Sequence, residues 1–445
     1  MENRIPNINQ LIEEKDFFRL KSILVELEPV QVEELLNLVP LENWIIIFRL
    51  LPKDLAADVF SELESDEQYN LLERFKEFRI RDIIRELDPD DRTELFEELP
   101  AGLVKRLINY LSPEDRQEAR VLLGYPDESV GREMTTEFVE LKANWSVEQA
   151  LTHIRKTAPN KETIYTLYVL GDRRRLVGVM SLKDLILSDD KESISNVMSS
   201  NIIYVKTTDD REYAARELAK YDFLALPVVD SENHLVGIIT IDDVIDVLEE
   251  ETTEDIARMA AIEPTERPYL TTSIWKLVRS RIFWLALLLV LEGLTSTIMD
   301  QFEGLIAGMV LLTYFIPTLV GVGGNTGSQI SAMIIRGLSI GELSEKDTWK
   351  IILRELVVGF IIATILATLL VFRAYLLQPQ WDMAFAVAIA LGLVVWYSNM
   401  IGALLPIIAK KLGIDPAVMA GPLVTTIVDV TGIGIYFGIV KLILL

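Results

Sequence analysis

The sequence predicts a multidomain membrane protein: an all-α superhelical N-terminal domain, an α/β tandem pair and a five-helix α transmembrane domain. Three observations predict this class. Apolar residues recur every twelve positions through the first 128 residues, one pattern occurs twice between 130 and 252, and five apolar stretches fill the remainder. At 445 residues the chain is too long for one hydrophobic core. The expected domains are 1–128, 129–252, an acidic connecting helix within 241–270, and 271–445.

The twelve-residue series is Leu27, Val39, Leu51, Leu63, Phe75, Leu87, Leu99 and Leu111. Several members precede a proline and acids, as in LPKD at 51–54, LDPDD at 87–91 and LSPED at 111–115. Proline suits the first turn of a helix, and Asp or Glu there meets the positive end of the helix dipole. The period therefore marks short helices, each ending near an apolar residue, stacked into a superhelix.

Between 130 and 252, Val130 and Met134 correspond to Ile194 and Met198, and YVLGDRRRLVGVMSLKDL (168–185) corresponds to PVVDSENHLVGIITIDDV (227–244). Each copy reads as helix, strand, turn, strand, helix. The signature G-x-x-[ST]-x-x-D occurs as Gly178, Ser181, Asp184 and again as Gly237, Thr240, Asp243. This resembles a pair of CBS (cystathionine β-synthase) motifs. The resemblance implies an adenine nucleotide, ATP, held by Ser181, Asp184, Thr240 and Asp243 at helix N-termini. The plainer reading is that Ser181 and Thr240 only cap the helices that follow them.

Charge is distributed unevenly. The net charge is −24, with 57 Asp+Glu against 32 Lys+Arg in residues 1–270 and 10 against 11 in residues 271–445. Such a soluble half repels nucleic acid and attracts cations. There is no cysteine, and His153 and His234 are the only histidines, so a metal here has oxygen ligands, which suits magnesium or calcium. Nor does the chain carry a nucleophile–histidine pairing, a P-loop or a hydrolase motif, so no enzyme is expected.

The segment 241–256, IDDVIDVLEEETTEDI, puts Asp243, Val247, Glu251 and Asp255 on one helix face, with Asp246, Glu250 and Glu254 on the adjoining one. Like charges at this spacing destabilise an isolated helix, and a divalent cation relieves that repulsion.

The apolar stretches lie near 281–300, 305–336, 352–377, 383–410 and 420–443. Each reaches the ~20 residues a spanning helix needs. In the second, Pro317 and the glycines of GVGGNTGSQ (321–329) are expected to interrupt the helix and leave irregular backbone, the plainer reading of the glycines being close helix packing. Arg279, Arg281, Arg336, Lys346, Lys350, Arg354, Lys410 and Lys411 fall on one side, against Arg373 and Lys441 on the other. The positive-inside rule then puts the N-terminus in the cytoplasm and the C-terminus outside. Intramembrane acids are functional candidates by default. Asp429, within GPLVTTIVDVTG (421–432), is the clearest, and Glu292 in the first stretch is a second with no assigned role.

Two motifs now stand together: Pro317-x-x-x-Gly321-x-x-Gly324-Asn325-x-Gly327-x-Gln329, and Gly421-Pro422-x-x-Thr425-Thr426-x-x-Asp429-x-x-Gly432. With the acidic helical domain, the CBS pair and the connecting helix, the whole chain resembles MgtE-family magnesium channels. The resemblance implies a homodimer in a bacterial or archaeal cell membrane, in contact with lipid and binding no nucleic acid. It implies magnesium held by Asp429 in a pore on the two-fold axis, with Asn325 close by. It also implies feedback closure when magnesium bridges cytoplasmic acids. The candidates are Asp243, Asp246, Glu251, Glu254 and Asp255 of the connecting helix, then Asp210, Glu212 and Asp222, then Asp88, Asp90 and Asp91. Two alternatives stay open: a nucleotide-regulated transporter of another divalent cation (Co2+ or Mn2+), and a membrane-anchored sensor that transports nothing.

Overall fold

The computed structural model describes residues 8–264, 269, 272–419 and 421–444. Part of the expected 241–270 segment, residues 265–268 and 270, lies outside the described residues. The chain divides into two compact units, one ending at Leu248 and the other beginning at Glu249.

In the first unit, short helices follow one another from Ile8–Glu13 to Pro113–Leu122. The twelve-residue period has a local cause. Helices Leu41–Leu50, Ser65–Arg74, Glu77–Glu86 and Pro89–Glu98 each hold 10 residues. Each closes on one extended residue, Leu51, Phe75, Leu87 or Leu99, whose side chain is buried in the common core. One further residue then caps the next helix. Helix, apolar closure and cap together make the repeat, and the closures stitch neighbouring helices together by burying their side chains between them. Arg79 ties two repeats, its guanidinium donating to the Leu51 carbonyl at 3.2 Å and to that of Phe48.

The tandem pair forms two three-stranded sheets: β1 (Glu140–Lys142), β2 (Thr166–Leu170) and β3 (Leu176–Ser181), then β4 (Val205–Lys206), β5 (Ala225–Val229) and β6 (Leu235–Thr240). In each, the first pair is parallel and the second antiparallel, with Val169 opposite Gly178 and Val228 opposite Gly237. The lead-in segments are exchanged. Thr135, before the first copy, bridges to Ile238 of β6, and Ser199, before the second, bridges to Val179 of β3. Met134 thereby covers Gly237 and Met198 covers Gly178, each with its sulfur where a side chain on the glycine would begin. Only a residue without Cβ permits this approach.

Helix Ile241–Met259 carries the chain from the first unit into the second. Among the described residues, four helices of the second unit are long and apolar enough to cross a membrane: Ile274–Asp300, Thr348–Leu377, Trp381–Lys411 and the helix ending at Leu444. The second apolar stretch folds in three pieces, a short helix Glu303–Gly308, a 3-10 segment Val310–Phe315 and the glycine-rich helix Ile316–Ser339. This corrects the expectation of an interruption at Pro317 and the glycines. The break precedes Pro317, which sits in the first turn, where its missing N–H costs nothing. From there the helix runs unbroken through Gly321–Gln329, so its backbone groups are satisfied within it.

Candidate functional site

Gly323, Gly324 and Gly327 serve close helix packing. A Cβ on Gly323 would lie 3.0 Å from Val394 and 3.1 Å from Val428, one on Gly324 2.8 Å from Thr425, and one on Gly327 2.7 Å from Val424. The two membrane motifs are therefore in direct contact, and Ser328 Oγ lies 3.0 Å from Thr425 Oγ1. Gly321, Asn325 and Gln329, four residues apart, form an exposed stripe on the outer face of this helix. Gly421–Leu444, the last helix, packs against both the glycine-rich helix and Trp381–Lys411.

Asp429 sits on this last helix and is 7% exposed. Its neighbours in sequence are polar but self-sufficient. Thr425, Thr426 and Thr431 donate to the carbonyls of Gly421, Pro422 and Ile427 one turn earlier, at 2.9, 2.9 and 2.6 Å. Asp429 is different, because its Oδ1 is buried without a hydrogen-bond partner. A buried carboxylate oxygen without a donor is costly, and it is a natural ligand for a cation.

A third intramembrane acid went unnoticed in the sequence. Glu355, on Thr348–Leu377, is buried, and its Oε2 accepts from Asn399 Nδ2 at 3.0 Å. Asn399 also donates to the Glu355 carbonyl at 3.0 Å. This acid is satisfied, so it belongs to the packing between two helices.

The end of the acidic helix lies on this membrane unit. Asp255 Oδ2 accepts from Ser339 Oγ at 3.1 Å, at the end of the glycine-rich helix. Arg258 pairs with both Glu254 and Asp415. Met259 packs against Ile335 and Ala417, and its carbonyl stands 2.8 Å from where a Gly421 Cβ would be. Gly421 begins the helix that carries Asp429 eight residues later, about 12 Å along its axis. Asp415 was likewise missed; the one sequence sign was its place just before the last span.

In the first unit, Asp90, Asp91, Glu162 and Asp243 are gathered into one acidic cluster, with Asp88 at its edge. Burial, then the neighbouring carboxylates, push Asp91 and Glu162 up to about 7. Burial pushes Asp243 up to about 6, held back by its bond to Thr240. Asp90 rises well above the usual carboxylate range, chiefly through burial and then through Asp243, and its Oδ1 has no hydrogen-bond partner. Asp246, nearer the end of this unit, acts on Glu62, which burial raises first. Among the described residues no three acids converge into a ready-made metal cage. An ion held here keeps water between itself and some of the carboxylates, as magnesium prefers.

The other candidates have local work. Asp210 caps helix Arg211–Tyr221, accepting from Glu212 N at 2.8 Å and Tyr213 N at 3.3 Å. Glu212 pairs with Arg216 at 2.7 Å, and Asp222 closes that helix in a left-handed conformation at φ 54°. Ser181 Oγ accepts from Asp184 N at 3.0 Å and donates to its Oδ2 at 2.6 Å. Thr240 Oγ1 donates to Asp243. Both signature pairs therefore cap helices as they stand. Glu251 and Glu254 lie on the half of the acidic helix that belongs to the membrane unit.

Models of known families match most of the chain. The divalent cation transporter family MgtE matches residues 316–439, the MgtE intracellular N domain matches 27–128, and the CBS domain matches 128–189 and 194–250. The magnesium transporter MgtE of Thermus thermophilus is 37% identical over 452 residues, covering 100% of this chain and 99% of that protein. A solved cytosolic domain of the Mg2+ channel MgtE in complex with ATP is 37% identical, with a TM-score of 0.52, and covers 54% of this chain and 98% of that one. The soluble part of a magnesium transporter is 32% identical with a TM-score of 0.52, covering 54% of this chain and 95% of that one.

Proposed function

This chain belongs to the MgtE family of magnesium transporters, multi-pass membrane proteins that are not enzymes, and we propose on that footing that it is a homodimeric magnesium channel closed by cytoplasmic magnesium. The reading divides the chain at the boundaries expected from sequence, 1–128, 129–252, the connecting helix within 241–270, and 271–445. It counts five spans, taking the glycine-rich helix as the second, with the N-terminus in the cytoplasm and the C-terminus outside. The observation that carries it is Asp429, a buried carboxylate with an unpartnered oxygen in the last span. A hydrated Mg2+ fits a site with few carboxylates, because it keeps most of its water. Asp429 attracts the ion without trapping it. The stripe through Asn325 supplies amide oxygens along the same helix pair.

Closure is assigned to the acidic cluster and the connecting helix. With magnesium low, Asp88, Asp90, Asp91, Glu162 and Asp243 repel one another. With magnesium high, the ion takes the part that protons play at low pH, and the helix that continues from Asp243 is held in its closed position. Asp246, Glu251, Glu254 and Asp255 act along the same helix, while Asp210, Glu212 and Asp222 are weaker candidates given their local bonds. ATP at Ser181, Asp184, Thr240 and Asp243 is a further regulatory input, supported by the ATP complex of the similar cytosolic domain. Transport of Co2+ or Mn2+ is the alternative cargo.

Proteoliposomes bearing the full chain test the function. Entrapped magnesium indicator should report uptake that slows as magnesium is raised on the cytoplasmic face. No uptake at any concentration overturns the reading.

A pH dependence follows from the cluster. Asp91 and Glu162 are pushed up to about 7 and Asp243 to about 6 in the folded chain, against near 4 when unfolded. The folded state therefore binds more protons between those values. Its stability contribution is complete below about pH 4 and is lost as the pH rises through 6 to 7. Magnesium should thus raise the thermal midpoint of the detergent-solubilised chain more at pH 8 than at pH 5.5. An equal shift at both contradicts a magnesium site built on these acids.

A further inference from the structure

Glu292 is the one intramembrane acid that neither the packing nor the proposed pore absorbs. Its helix, Ile274–Asp300, packs chiefly on the last helix, and two contacts fix their register. Ile298 stands 3.8 Å from where a Gly434 Cβ would be, and the Phe302 and Phe437 rings stack with centroids 5.3 Å apart. Both numbers rise together, so the helices run parallel. Six residues back from Ile298 is Glu292, and six back from Gly434 is Val428, next to Asp429. At ~1.5 Å per residue along either helix the two carboxylates lie at the same depth.

The facing also agrees. Glu292, Thr295 and Met299 follow one another at three- and four-residue steps, which is one stripe of the helix, and Phe302 lies just beyond its end. Met299 and Phe302 pack on the core that contains Phe437. Thr295 Oγ1 is buried without a hydrogen-bond partner, as is Asp429 Oδ1. The Glu292 side chain is exposed on the single chain. A mid-span carboxylate does not face lipid, so it faces a second subunit or a wet path.

We propose that Glu292 is a second pore carboxylate, which with Asp429 holds the hydrated divalent cation at one level of the conduction path. Each subunit then offers two acids from two helices, and Thr295 supplies a hydroxyl to the water shell. This rests on the reading of Asp429 as the pore acid.

The test is magnesium flux into proteoliposomes bearing the full-length protein, titrated against external magnesium. Glu292→Gln should need about tenfold more magnesium for half-maximal flux, the equivalent of ~1.4 kcal/mol. Glu292→Asp, which keeps the charge, should stay within about threefold of the parent, since one methylene less shortens reach without removing attraction. Gel filtration confirms that both variants assemble as the parent does. A Glu292→Gln protein with unchanged half-saturation overturns the proposal. So does a Glu292→Asp protein as impaired as Glu292→Gln, because shape and not charge would then matter; this second variant decides the case if the first does not assemble. Asp429→Asn runs alongside. If it conducts normally, the pore reading has failed, and if it is silent while Glu292→Gln is normal, only the role of Glu292 has.

Discussion

Asp429→Ala should abolish magnesium flux while leaving the fold intact or slightly stabilised. A carboxylate acting on a divalent ion through one water layer contributes about 3 kcal/mol, a factor of roughly 100 in occupancy. Flux measured at a fixed low magnesium concentration should therefore fall at least about 100-fold. Stability should move the other way. The carboxylate is buried and its Oδ1 lacks a partner, so its removal takes away a desolvation cost and strands no donor. A thermal midpoint equal to or above that of the parent, joined to lost flux, is the signature of a functional group. A midpoint several degrees lower would mark Asp429 as a packing residue. Glu355 supplies the contrast, because Glu355→Ala leaves the Asn399 amide without its side-chain acceptor inside the helix pair and should destabilise the protein.

Neutralising the acidic cluster should uncouple closure from magnesium. In a chain carrying Asp90→Asn, Asp91→Asn, Glu162→Gln and Asp243→Asn together, neither the repulsion that opens nor the bridging that closes remains. The ratio of flux at low to flux at high cytoplasmic magnesium should shrink at least about tenfold, the change expected when a ligand loses ~1.4 kcal/mol of differential affinity for the closed state. Conduction through Asp429 should persist, which separates this variant from the pore variant. Restoring Asp243 alone should recover little, because one carboxylate does not bridge an ion.

Sequence order reveals some of this and hides the rest for physical reasons. The twelve-residue period was readable because it is local: a 10-residue helix, an extended apolar closure such as Leu87, and a cap such as Asp88. Asp429 was readable because an acid within an apolar helix is rare and the base count of the spans offers it nothing. Glu162 was invisible, since it sits in a loop of the first tandem copy and meets Asp91 and Asp243 only through the tertiary fold. Glu355 and Asn399 pair across 44 positions, and Arg258 and Asp415 across 157. No local pattern announces such partners. The glycine run misled in a specific way. In water, glycines of this density loosen a helix, but between apolar helices they permit contacts such as Gly324 on Thr425 and keep the helix whole. Asp210 and Asp222 misled too, because a cap and a left-handed turn draw on the same residue types as an ion site.

The central claim is that one chain both conducts magnesium and closes in response to it. Currents from membrane patches bearing the full-length protein test it most directly, with magnesium stepped on the cytoplasmic face while the opposite side is held constant. Magnesium current should be large at low cytoplasmic magnesium and fall steeply as it is raised, and should lose this dependence in the cluster variant. A current indifferent to cytoplasmic magnesium, or one that closes equally well without the cluster acids, would contradict the claim.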